Sequence, residues 1–233
     1  LNPDFTPVKI NYAIALAACD RTDEALTLLR DVITLAPHAP EGYLNAGRVM
    51  LAKGDFTEAR NMLKKAVTML PSDAVAQNDY AIALQKLGHI EEALEANQVA
   101  CSLEPQNAIF RANRCSLRLD CDDFVAAVED GEKAISIERS CKEAHYNLAN
   151  AYQALDQFCK ARLCYRRAIE IDPFYSDAYA NLAAAELALE NVGFAIKFAD
   201  KALMLDSTMA EAAWTRSLAC LLYTSPSPRD DEL

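Results

Sequence analysis

The sequence contains little glycine and few aromatic residues. It has 6 glycines, 1 tryptophan and an aromatic fraction of 8% in 233 residues, whereas 52% of the residues are apolar, chiefly alanine and leucine. Alanine and leucine are strong helix formers that pack closely in helical proteins. No Gly-rich phosphate loop and no zinc-ligand spacing occurs in the sequence. The composition therefore favours packed helices and gives no sign of a bound nucleotide or metal.

Basic residues are also scarce, and the formal net charge is -11. Nucleic-acid binding is disfavoured, because it depends on a basic patch that displaces counterions from phosphates. No apolar run has the length of a membrane span, and no signal peptide is recognisable. The eight cysteines form no CxxC pair, which is typical of small apolar side chains in a reducing compartment. We therefore expect a cytoplasmic chain without nucleic-acid or membrane partners.

A unit of 34 residues recurs six times, and residues 40–73 show it most clearly. Within this unit Gly54 is expected to end a first helix and Pro71 a second. With Pro40 as position 1, positions 8, 20 and 27 are nearly always alanine or another small residue. Larger apolar residues recur at position 17 and position 30 and are expected to fill the gaps between helices. The pattern predicts antiparallel helix hairpins that pack closely at the small residues.

The period and the small residues resemble the tetratricopeptide repeat family over residues 6–209. The resemblance implies an all-α, right-handed superhelical solenoid of helix hairpins and a protein-binding scaffold. The predicted repeats are 6–39, 40–73, 74–107, 108–141, 142–175 and 176–209. Residues 1–5 resemble the end of a preceding repeat, and residues 210–219 the first helix of a further, truncated one. Residues 220–233 resemble translated sequencing adapter, so we interpret them as an artefact tail.

The fourth repeat is irregular because Arg111, Arg114 and Arg118 lie on a helix face that is apolar in the second repeat. One hypothesis is an anion site on this helix. The other, which we favour, pairs Arg114 with Asp130 of the partner helix and leaves the other two arginines in solvent. Gly131 in the middle of a helix makes this hairpin the expected weak point or bend.

Position 6 carries the sharpest functional pattern, which we call the asparagine ladder. Its members are Asn11, Asn45, Asp79, Asn113, Asn147 and Asn181. At 100° per residue, position 6 points about 200° away from position 8, off the packed face of its helix. An asparagine amide offers both a donor and an acceptor, which suits bidentate bonds to the backbone of an extended peptide. Asp79 departs from this pattern because an ionised carboxylate cannot donate.

The ladder resembles the one in the repeat regions of O-linked N-acetylglucosamine transferases and kinesin light chains. That resemblance implies that an extended peptide or partner protein binds in the concave groove. The alternative is that these side chains bond only to neighbouring repeats. Flanking candidates are Arg48, Ser116 and Asn150 at position 9, with Asn78 and Tyr146 at position 5. Of these we favour Arg48 and Asn150.

Catalysis finds little support, since His38, His89 and His145 occupy different repeat positions and suggest surface or helix-end residues. We therefore expect no catalytic residue, no metal, no cofactor and no small-molecule substrate. The predicted function is a non-catalytic scaffold that binds a peptide or protein. One alternative is the substrate-recognition region of a larger glycosyltransferase, and another is a purely structural assembly module.

Overall fold

The computed structural model of the chain describes residues 6–224, and within that range it contains thirteen helices. The first helices of the hairpins begin at residues 6, 40, 74, 108, 142, 176 and 210, which is one every 34 residues. The helices are α1 (Thr6–Ala18), α2 (Thr22–Leu35), α3 (Pro40–Lys53), α4 (Phe56–Met69), α5 (Ala74–Lys86), α6 (Ile90–Leu103), α7 (Ala108–Asp120), α8 (Phe124–Ile137), α9 (Lys142–Ala154), α10 (Phe158–Ile171), α11 (Ser176–Ala188), α12 (Val192–Leu205) and α13 (Ala210–Thr224).

The backbone divides between Phe110 and Arg111 into two compact units, here named unit 1 before the division and unit 2 after it. In each unit the consecutive helices of a hairpin pack on each other and on the next hairpin. Helix α13 continues past residue 219 and ends at Thr224. The predicted repeat remnant at residues 1–5 and most of the predicted tail, residues 225–233, lie outside the described residues.

The turn inside each hairpin requires a left-handed backbone at the same repeat position, position 15. Gly54 and Gly88 supply it with φ of 84° and 78°. The other four repeats use Asp20, Asp122, Asp156 and Glu190, with φ between 57° and 60°. Glycine adopts this conformation without cost, aspartate tolerates it, and a longer side chain is strained there. The hairpin geometry is therefore imposed on the sequence even where no glycine is present.

The small residues predicted to pack are all in the core. Every residue at position 20 is fully buried, and positions 8 and 27 are buried as well. The residues at position 20 are Ala25, Ala59, Ala93, Ala127, Ala161 and Ala195. Side chains of this size let helix backbones approach closely, so the sequence identified the closest contacts between helices.

The side chains expected to fill gaps at positions 17 and 30 are less buried than the small residues, although Phe158 at position 17 packs against the core of unit 2. Position 17 is only half-buried, and Leu35, Met69 and Leu103 at position 30 are exposed. The largest buried side chains include Leu29, Leu63 and Tyr165, which share position 24. This position also carries asparagine, glycine and alanine, so no period in residue size revealed it.

Gly131 occupies position 24 in the fourth repeat, and helix α8 runs through it without interruption. A Cβ atom added to Gly131 would lie 2.8 Å from the Cβ of Leu148 on helix α9. The glycine therefore allows a close approach of two helices.

Position 4 fixes the loop that precedes its own hairpin. Tyr43 donates to the carbonyl of Pro37 at 3.2 Å, and Gln77 donates to the carbonyl of Pro71 at 3.1 Å. In unit 2, Nε2 of His145 lies 3.0 Å from the carbonyl of Arg139, so this nitrogen must carry the hydrogen. Three different side chains thus make the same contact.

Unit 2 contains two buried carboxylates that are surrounded by arginines. Arg114 binds Asp130 through Nε and a second guanidinium nitrogen, which confirms the predicted pair. The expectation that the other two arginines reach solvent is wrong. Arg111 and Arg118 lie 3.6 and 3.1 Å from the same carboxylate, and Arg118 also donates to the carbonyl of Ala126. Because Asp130 is buried, it gathers all three cations and links α7 to α8.

The second buried carboxylate, Glu186, was not anticipated. It is fully buried and accepts from Arg166 at 2.7 Å and from Asn191 at 2.8 Å. The guanidinium of Arg166 also lies 6.0 and 5.9 Å from the ring centres of Phe194 and Phe198. This network joins helices α10, α11 and α12.

Candidate functional site

In unit 2 the asparagine ladder faces the preceding first helix. The amide nitrogen of Asn147 on α9 donates to the carbonyl of Ala112 on α7 at 2.8 Å. The amide nitrogen of Asn181 on α11 donates to the hydroxyl of Tyr146 at 3.1 Å and to Asn150 at 3.0 Å, both on α9. These ladder side chains therefore bond to adjacent repeats, as the structural alternative predicts.

These contacts leave the carbonyl oxygens of the two amides for other partners. Among the described residues, no group donates a hydrogen bond to the side-chain carbonyl oxygen of Asn147 or Asn181. Neither oxygen is among the buried polar atoms that lack a partner, so both are accessible. The bidentate contact that we expected is not available at Asn181, because both of its amide hydrogens are donated within the protein. The amide is thus held in position and presents an acceptor.

In unit 1 two ladder residues line one open pocket of about 640 Å³ between α1 and α3. Asn11 is exposed, and Asn45 is half-buried and donates to the carbonyl of Glu41, one turn earlier in its own helix, at 2.8 Å. Ile10 and Ile14 line the same pocket. The arrangement brings amide groups, an apolar surface and a carboxylate to one place, which is the usual chemistry of a ligand pocket.

Asp79 differs from the asparagines in its contacts as well as in its charge. Its side chain is only 15% exposed, and its Oδ2 is buried without a hydrogen-bond partner. Arg48, the flanking residue at position 9 of the preceding repeat, lies 3.4 Å away and forms an ion pair. Burial raises the pKa of Asp79 to about 6, and the attraction of Arg48 offsets this only in part.

The other flanking candidates divide into two groups. Asn150 accepts from the hydroxyl of Tyr165 at 2.6 Å as well as from Asn181, and Tyr146 also contacts Asn181, so both belong to the ladder surface of unit 2. Asn78 is buried and accepts from the side chain of Asn97 at 3.2 Å. Asn78 is therefore part of the interior, and its proposed place in the groove is wrong.

Sequence reasoning missed several residues that lie beside the ladder. Ile10, Ile14 and Glu41 line the pocket of unit 1, and Tyr165 supports Asn150 in unit 2. The first three occupy positions 5, 9 and 2, which lie on the helix face next to position 6. That spacing was a usable signal. Tyr165 is at position 24 of the repeat, in the second helix of its hairpin. Residue types vary at this position, so the sequence pattern gave no signal for it.

Titratable and thiol groups show no cluster that could hold a metal ion in the described part of the chain. His145 lies in the first turn of α9, as expected for a helix-end residue, but its side chain is buried rather than at the surface. The eight cysteines form no disulfide among the described residues, and Cys101, Cys115 and Cys141 are the buried ones. Burial raises the pKa of Cys115 to about 12, which leaves it a neutral thiol. Across residues 6–224, every helix is too short or too polar to cross a membrane.

Three models of the tetratricopeptide repeat match the sequence, at residues 10–74, 50–112 and 143–175. Together these matches cover more than half of the chain and both units. The chain belongs to the tetratricopeptide repeat family. Its thirteen described helices form the all-α fold of superhelical tetratricopeptide repeats that the sequence predicts.

Solved structures show the same tetratricopeptide repeat fold. The APC/C hetero-tetramer Cut9-Hcn1 superimposes with a TM-score of 0.84 at 15% identity over 92% of this chain, which spans only 42% of that chain. PilF of Pseudomonas aeruginosa gives 0.76 at 16% identity, with 92% and 98% of the two chains covered. YrrB, described as a protein with an unusual peptide-binding site, gives 0.57 at 16% identity, with 81% and 97% covered. No curated protein sequence matches this tetratricopeptide repeat chain.

Proposed function

We propose that the chain is a non-catalytic scaffold that holds an extended segment of a partner protein along its asparagine ladder. The observation that carries the proposal is the fixed amide group. Asn147 and Asn181 are anchored through their nitrogens to the preceding helix, while their carbonyl oxygens have no hydrogen bond from the described residues. Fixed acceptors at 34-residue spacing suit the backbone N–H groups of an extended chain, whatever its side chains.

Two further observations support this proposal. Asn11 and Asn45 share an open pocket, so ladder residues of neighbouring repeats lie beside one surface in unit 1. YrrB, which shares the fold, is described as having a peptide-binding site. As part of the proposal we place the protein in the cytoplasm, where its cysteine thiols remain reduced.

The test is a display selection of random 12-residue peptides against the full chain, followed by fluorescence anisotropy on the enriched peptides. The variant Asn45→Ala, Asn147→Ala, Asn181→Ala is compared with the wild-type chain. Each of the three hydrogen bonds contributes about 1 kcal/mol, so we expect a loss of affinity of about a hundredfold. The matched control is Asn61→Ala, Gln98→Ala, Gln106→Ala, which removes amides outside the ladder and should bind like wild type.

Folding must be measured beside binding, because Asn147 and Asn181 also join adjacent repeats. Circular dichroism at 222 nm gives the temperature range in which both variants are folded, and affinities are compared there. If the triple ladder variant binds peptides as tightly as the wild-type chain but is less stable to heat, the ladder only joins adjacent repeats and does not bind a partner. A selection that enriches no peptide would reject the scaffold proposal as well.

A further inference from the structure

The pocket between α1 and α3 combines the amides of the ladder with an apolar surface and a carboxylate. Ile10 and Ile14 form an apolar wall, and Ile14 remains 45% exposed. Asn11 and Asn45 bring amide groups to the same pocket. Among the described residues that line it, Glu41 is the one that carries a charge. A volume of about 640 Å³ is enough for several side chains.

We propose that this pocket selects an aliphatic side chain of the bound segment together with a lysine or arginine two residues away. The inference rests on the proposed function and adds side-chain selectivity to it. In an extended chain, residues i and i+2 point to the same side and lie about 6.6 Å apart. One segment can therefore place an aliphatic group on Ile10 and Ile14 and a cation beside Glu41.

Charge complementarity decides the chemistry of this partner. The carboxylate of Glu41 is exposed at the first turn of α3, and the only described hydrogen bond to this residue involves its backbone carbonyl. The whole chain carries a net charge of -11, which repels acidic segments and attracts basic ones at low ionic strength. A segment that offered a carboxylate at this place would meet repulsion from Glu41.

The experiment uses three acetylated and amidated peptides, with the parent sequence Gly-Ser-Leu-Ser-Lys-Ser-Gly. The other two replace leucine by serine or lysine by glutamate. Binding to the full chain, labelled with carbon-13 in its isoleucine methyl groups, is measured by NMR titration. We expect the parent peptide to shift the Ile10 and Ile14 signals, with a Kd at least tenfold below that of either altered peptide.

The variant Glu41→Lys supplies the sharpest readout because its side chain is exposed and folding should be unaffected. It should reverse the preference, so that the glutamate peptide binds more tightly than the lysine peptide. Glu91→Lys makes the same change in the first turn of α6 and should leave the preference unaltered. Raising the salt concentration from 0.05 to 0.5 M should weaken the contribution of the lysine.

Each other outcome overturns the inference. Equal binding of the three peptides, or no shift at Ile10 and Ile14, would show that the pocket has no such selectivity. Binding only after removal of residues 1–5 would make that segment the occupant. If displayed peptides bind through Asn147 and Asn181 without the aliphatic and basic pattern, the scaffold proposal stands and this one fails.

Discussion

Replacing Asp79 by asparagine should stabilise the protein at neutral pH. The native carboxylate has a buried Oδ2 without a hydrogen bond, and burial raises its pKa from the ordinary value of 3.8 to about 6. A shift of about two units corresponds to about 3 kcal/mol, which the folded state loses when the group ionises. Asparagine has nearly the same shape and no charge, so Asp79→Asn should recover up to about 3 kcal/mol at pH 7.5.

The sign of the pH dependence follows from the raised pKa. Below pH 3.8 the carboxyl group is neutral in both the folded and unfolded states, so the wild-type chain and Asp79→Asn should be equally stable. As the pH rises toward 6, the wild-type chain loses the stability that protonation of Asp79 gave, while the variant loses nothing at this position. The difference should reach about half of its full value at pH 5 and should be constant above pH 7.

The assay is urea unfolding followed by circular dichroism at 222 nm at pH 5.0, 6.0 and 7.5, with thermal unfolding beside it. For a chain of this size, 3 kcal/mol corresponds to about 6–12 °C in Tm. Asp31→Asn is the control, because Asp31 is exposed in helix α2 and its neutralisation should change stability by less than about 0.5 kcal/mol. A destabilised Asp79→Asn, or a gain that is the same at every pH, would refute the reasoning.

Three further predictions concern the repeats themselves. Gly131→Ala should destabilise the folded protein by about 1–3 kcal/mol, because the new Cβ would lie 2.8 Å from the Cβ of Leu148. Gly193→Ala has no neighbouring atom within 4 Å of the new Cβ and should stabilise the fold by up to about 1 kcal/mol. Opposite signs in urea unfolding are the expected result, and equal signs would contradict the packing. Glu190→Gly should raise stability by about 1 kcal/mol because φ is 60° at this turn, and an unchanged midpoint in the same assay would argue against strain there. Burial lowers the pKa of His145, so its contribution to stability should fall as the pH drops below about 6.5, opposite in sign to the contribution of Asp79. His145→Gln keeps a donor for the loop and should remove that dependence, as measured by urea unfolding between pH 5.5 and 7.5.

The asparagine ladder shows which features of a site a periodic sequence can predict and which it cannot. The spacing placed Asn147 and Asn181 on one face of their helices, and both are found on the side that meets the preceding first helix. Which atoms of each amide remain for a ligand could not be predicted. That depends on neighbours 31 to 35 residues away, such as the hydroxyl of Tyr146, which belong to the preceding repeat.

The sequence by itself determined the class of fold, the period of 34 residues and the positions where helices approach most closely. These features are local, because a small residue or a helix stop acts within its own hairpin and is repeated in the next. Tertiary structure alone decided the rest. It added Arg111 and Arg118 to the predicted pair of Arg114 and Asp130, buried Glu186 and opened a pocket beside Asn11 and Asn45. These outcomes depend on side chains from different helices that meet in space, and burial there changes the energy of a charge by more than any local preference does.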